Sequence, residues 1–132
     1  MNLRPEGRQA MEALLAKHAE IDGVWCANDV MAYGALDALD AAGRTAKVVG
    51  VNGLSEAIEN VESGRMVATV DFSAFKIARF AAEAALRHLR GEEVPRDIEV
   101  PTVLIDRSNV TQWKLPMEQR PCPSWLEIVG RA

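Results

Sequence analysis

The sequence predicts an α/β domain, a Rossmann-like parallel sheet with flanking helices. Three observations carry that prediction. The runs Val24-Trp25-Cys26-Ala27, Val48-Val49-Gly50-Val51 and 66–70 are apolar but too short for helices, as strands buried on both faces are. Between them, Met31, Ala35, Leu36 and Leu39, and then Ala57, Ile58 and Val61, recur at helical spacing. Strand, helix, strand with a crossover of this length is what a parallel pair requires.

Taken in order, Pro5 suits the first turn of a helix whose apolar stripe is Ala10, Met11, Leu14 and Leu15. Arg8, Glu12 and Lys17 face away, and the helix should end near His18 or Ala19. After the first strand, Asn28 or Asp29 can cap the next helix by accepting a backbone N–H. Gly43 stops that helix. The second strand ends at Asn52-Gly53. From Leu54 a third helix turns Glu56, Glu59 and Glu62 to solvent and closes at Ser63-Gly64. The third strand, also read as parallel, ends at Asp71-Phe72. Ser73 can cap the longest helix, 74–90, with Phe75, Ala78, Ala82, Ala85, Leu86 and Leu89 on its apolar face. Arg87, His88 and Arg90 suit the negative end of its dipole, and Gly91 ends it. Pro95 marks a polar loop before an extended run at Thr102-Val103-Leu104-Ile105. Beyond Asn109, three prolines break any long element, while Trp113, Trp125 and Leu126 offer apolar anchors. A short helix is expected near 125–129. Trp25, in mid-strand, reads as core, and Tyr33 as helix packing.

At 132 residues the chain has the length of one domain. Its 48% hydrophobic and 26% charged residues argue against disorder. The net charge of −4, with scattered Lys and Arg, disfavours nucleic-acid binding. No apolar run approaches the roughly 18 residues of a membrane span, and no secretory leader is visible. Cys26 and Cys122 read as free thiols, and the two histidines give no zinc-ligand spacing. Nucleophile elbow, Walker loop and dinucleotide fingerprint are all missing, so no enzyme, cofactor or metal is expected. Asp29 and Asp71 are the one conceivable carboxylate pair.

The segments CANDVMAYGALDALDAAGR, VVGVNG, ESGRMVATVDF and LRGEEVP together resemble the C-terminal half of type I periplasmic solute-binding proteins of sugar ABC transporters, the ribose-binding kind. The resemblance runs from about Leu3 to Arg107 and implies two lobes closing on a monosaccharide or polyol. It implies periplasmic residence and a membrane permease as partner. It also divides the chain into a partial C-terminal lobe, 1–110, and a Pro/Trp-containing extension, 111–132. In that family the helix matching 73–91 packs on the first lobe, after the chain crosses a hinge near Phe72. The Val24 strand would lack one neighbour, an edge through which two copies could pair.

Four residues stand where a ligand would be met, at the carboxyl ends of strands where open α/β sheets bind. Asn28 matches the family's ligand-contacting Asn; its plainer role is a helix cap. Asn52 stands where many members carry an Asp, and its amide offers a donor as well as an acceptor; its plainer role is a turn. Asp71 and Phe72 replace a small residue and a hinge-region Gln, offering a polar contact and a stacking face, or else a cap and a hinge filler. Two other readings stay open: an effector lobe of a lactose-repressor-type regulator, and a truncated, dimerising domain with little ligand affinity.

Overall fold

A computed structural model describes residues 3–130; the two residues at each end of the expected lobe and extension lie outside the described ones. The first helix, α1 (Leu3–Lys17), leads into β1 (Gly23–Trp25), and α2 (Asp29–Ala41) into β2 (Lys47–Val51). Then follow α3 (Ser55–Ser63), β3 (Ala68–Asp71), the long α4 (Ala74–Leu89) and β4 (Val103–Asp106). After β4 come two short 3₁₀ turns and a final helix, α5 (Trp125–Val129). The sheet order is β1-β2-β3-β4; the first three strands are parallel and β4 runs antiparallel to β3. This is the α/β class expected, with an antiparallel strand on one edge.

Two glycines set how closely α1 and α2 cross. A Cβ on Gly34 would overlap the Arg4 carbonyl and the Arg8 amide, and one on Gly7 would overlap the Met31 backbone. Backbone therefore meets backbone, and Met11, Ala35, Leu36 and Leu39 close a dry core against Val48, Ile58, Val61 and Ile105. Arg4 spans the helices, donating to both Asp37 oxygens at 2.7 and 2.9 Å and to Glu56 at 3.0 Å. That contact holds the Asp37 carboxyl below its usual range.

Two expectations change. β1 forms the sheet edge, as the resemblance implies, but it is not buried on both faces, and Trp25 at its end is 74% exposed rather than core. With only β2 beside it, Trp25 borders a groove of about 280 Å³ lined by Gly7, Met11 and Leu14. On α4, as the resemblance implies for a helix that packs on the first lobe in the family, the apolar face lies in solvent, with Leu86 54% and Leu89 81% exposed. The buried apolar residue there is Phe80, which packs with Trp125 and Ile128. Leu126 is 78% exposed and anchors nothing, because the turn of α5 points Trp125 and Ile128 inward instead. Trp113 and Trp125 are buried anchors as expected, and both cysteines are free.

The glycine crossing gives a direct test. Gly34→Ala should cost about 3 kcal/mol by overpacking, seen as a lower urea midpoint. Gly23→Ala, whose added carbon would meet only the Lys47 carbonyl at 3.8 Å, should stay within about 1 kcal/mol of the parent.

Candidate functional site: the carboxyl rim of the sheet

The strands β1, β2 and β3 are neighbours and parallel, so their carboxyl ends share one rim. Asn28 follows β1, Asn52 follows β2, and Asp71-Phe72 closes β3. All four expected residues thus come to the same edge.

Asn28 caps α2: its side-chain oxygen accepts from the Met31 amide at 2.9 Å, with extended backbone at the cap itself. The side chain is half-buried. Asn52 is half-buried too, and its backbone is unusual, with φ at 127°. Non-glycine residues avoid that region, at a cost of roughly 1–3 kcal/mol when surrounding contacts impose it. Here they do. The Asn52 amide donates to the Val70 carbonyl at 2.8 Å, and the Gly53 amide to Thr69 Oγ1 at 3.2 Å. Gly53 follows at φ 65°, where a Cβ would press on Asp71 Cβ at 3.1 Å. Only glycine fits both that backbone and that contact.

Asp71 is buried, and its carboxylate takes a hydrogen bond from Lys76 Nζ at 2.8 Å, both side chains being about 95% buried. Lys76 in turn lies 5.0 Å from the centre of the Trp113 ring, a cation–π distance. Phe72 is half-buried beside them in sequence, and Ser73 then caps α4 by accepting from the Lys76 amide at 3.1 Å.

The residue that ties the rim together is Asp29, which sequence reasoning treated as a spare cap. Asp29 is 0% exposed. One carboxylate oxygen accepts from the Leu54 amide at 2.9 Å; the other accepts from Thr69 Oγ1 at 2.7 Å. Gly50 must be glycine, because a Cβ there would overlap that second oxygen. Asp29 and Asp71 therefore have separate partners and do not form a carboxylate pair. The one local signal was a lone threonine in an otherwise apolar strand, and it names no partner.

Residues 1–93 match the family described as periplasmic binding protein domain. The chain belongs to that family. Over 101 residues, 76% of its length, it is 36% identical to the ribose import binding protein of Bacillus subtilis, of which it covers 33%. It also resembles the structure of an ABC transporter periplasmic solute binding protein from Actinobacillus succinogenes with bound D-allose. There the TM-score is 0.78 and the identity 31%, over 82% of this chain and 38% of that one. An ABC transporter solute binding protein from Bacillus halodurans with bound myo-inositol gives 0.76 and 33%, over 84% and 39%. The chain spans about a third of the length of such periplasmic binding proteins. Its fold is that of the matching part of type I periplasmic binding proteins.

Burial pushes the Asp29 carboxyl up from its ordinary range, against the opposing pull of the Thr69 and Leu54 donors. A carboxyl whose pKa folding raises holds its proton more firmly in the native chain than in the unfolded one. Its stabilising share is full below the unfolded value of 3.8 and is lost as pH rises through the folded value. Urea midpoints should therefore show the parent losing ground to Asp29→Asn as pH climbs above 3.8; parallel curves would contradict this. Asp29→Ala, which strands two donors, should cost about 2–4 kcal/mol at pH below 3.8, with the gap to the parent narrowing as pH rises. At β3, Lys76→Met should cost about 3–5 kcal/mol by leaving Asp71 buried without its partner, and adding Asp71→Leu should recover most of it.

Proposed function

We propose that this chain forms one jaw of a solute receptor for a monosaccharide or polyol, working by closure on the ligand and without chemistry. The observation that carries the reading is the gathering of Asn28, Asn52 and Phe72 on one carboxyl rim, beside Asp71, whose buried carboxylate is held by Lys76 and does not face a ligand. Amide side chains offer donors and acceptors that match hydroxyl groups, and an aromatic ring offers a face to a sugar's C–H surface. Relatives named for ribose import and neighbours with bound D-allose and myo-inositol support a polyhydroxylated ligand. Both rim carboxylates, Asp29 and Asp71, are occupied by internal donors, which supports binding over acid–base catalysis.

In the complete receptor, the other jaw would supply the remaining contacts, a membrane permease would receive the loaded protein, and the periplasm would be its compartment. The exposed face of α4 and the open edge of β1 are the surfaces such a partner lobe and further strands would cover. Pairing of two copies through the β1 edge is the competing occupant, favoured by the exposure of Trp25. Light scattering decides it: a mass of twice 14.4 kDa would support pairing.

Half a cleft supplies half the contacts, so affinity for D-ribose, D-allose or myo-inositol should be about 1 mM or weaker. In an NMR titration the amides of Asn28, Asn52 and Phe72 should move with the sugar, and Asn52→Ala should weaken binding by about fivefold. Shifts confined to other faces, or none by about 100 mM sugar, would sink the proposal.

A further inference from the structure

The segment after β4 lies beyond residues 1–93, which match the family, yet it makes two buried polar contacts with the rim. Arg120 is 7% exposed. Its Nη1 donates to the Gly53 carbonyl at 2.6 Å, its Nε to the Leu115 carbonyl at 3.0 Å, and its Nη2 reaches Ser55 Oγ at 3.5 Å. One guanidinium thus joins its own segment to the turn between β2 and α3, across 67 positions of sequence. The fork geometry suits it: Arg presents several donors in a fixed plane, and its weak hydration makes its burial less costly than that of an ammonium. Seven residues earlier in the chain, Trp113 lays its ring against Lys76, which holds Asp71.

The turn that Arg120 grips holds Asn52 at φ 127° and Gly53 at φ 65°. Its three amides are already committed: Asn52 to Val70, Gly53 to Thr69 and Leu54 to Asp29. The Gly53 carbonyl is taken by Arg120. A strained backbone persists when its polar groups are fixed on both sides, and relaxes when one side is released.

We propose that the C-terminal segment is a strut for the ligand rim, with Arg120 the positioning residue for Asn52. Through Gly53, Arg120 keeps Asn52 in the conformation that offers its amide to a sugar hydroxyl; Trp113 steadies the Asp71 end in the same way. The assignment of a sugar to the rim rests on the function proposed above. The strut itself does not.

Amide hydrogen exchange and a D-allose titration, both followed by NMR on the full chain, test it. In Arg120→Ala, the amides of Asn52, Gly53 and Leu54 should exchange about tenfold faster while those of α2 keep their rates. The sugar-induced shift at Asn52 should fall and that at Asn28 should persist. Arg120→Lys, keeping one donor to the carbonyl, should restore both readouts in part. Ser124→Ala, which removes the capping box of α5 without touching the rim, should change neither. Unchanged exchange at 52–54, or equal acceleration across the whole chain, would overturn the strut. If Arg120→Ala does not fold, Arg120→Lys decides by the same rule: acceleration confined to 52–54 supports the strut, and none or uniform acceleration overturns it. A parent chain with no sugar shifts would remove the ligand reading alone and leave the exchange result to judge the strut.

Discussion

The rim depends on one buried carboxylate. Asp29 begins α2, yet its two oxygens are spent on the Leu54 amide and the Thr69 hydroxyl, so it fastens the ends of all three parallel strands to one another. In a low-dielectric interior such bonds are strong, and a missing one is costly, so the network holds as a unit. Thr69 extends it by accepting from Gly53 while donating to Asp29. The two asparagines can sit at the surface of the rim because a residue that never reaches the surface holds the backbone beneath them.

Polar groups buried behind the rim form a second layer. The Lys76–Asp71 pair and the Arg120 guanidinium are desolvated, which is unfavourable unless their hydrogen bonds are well made. Each is well made, and each joins the segment after β4 to a strand end: Lys76 through the Trp113 ring, Arg120 through the Gly53 carbonyl. A clamp that grips a small hydroxylated ligand needs its contact groups at fixed separations, because flexible groups surrender entropy on binding. Under the function proposed above, rigid backbone at Asn52 would serve that need at the expense of local strain.

The outer surfaces have a different character. Among the described residues β1 has a neighbour on one side only, and α4 carries Phe75, Leu86 and Leu89 into solvent. Large apolar side chains on an unpaired edge and an unpacked helix face are what a covering protein surface would bury. A chain spanning about a third of the length of its relatives is consistent with that pattern.

Much of this was legible in the residue order. The strand-helix alternation, the caps at Asn28 and Ser73, and the gathering of polar side chains at strand ends are local properties, governed by backbone propensity and a period of two or 3.6 residues. What could not be read was whatever depends on which surfaces meet. Trp25 looked like core because its neighbours in sequence are apolar, but its neighbour in space is missing on one side. Leu126 failed for another reason, because the turn of α5 sends Trp125 and Ile128 inward in its place. Asp29 with Thr69, and Arg120 with Gly53, are 40 and 67 positions apart, and no local pattern names such partners. By itself, then, the sequence determined the elements, their order and the edge at which function gathers, because short-range sterics and periodicity decide those. Only the tertiary structure decided which buried charge holds that edge and which apolar faces stay open, because burial and charge pairing are set by segments brought together from far along the chain.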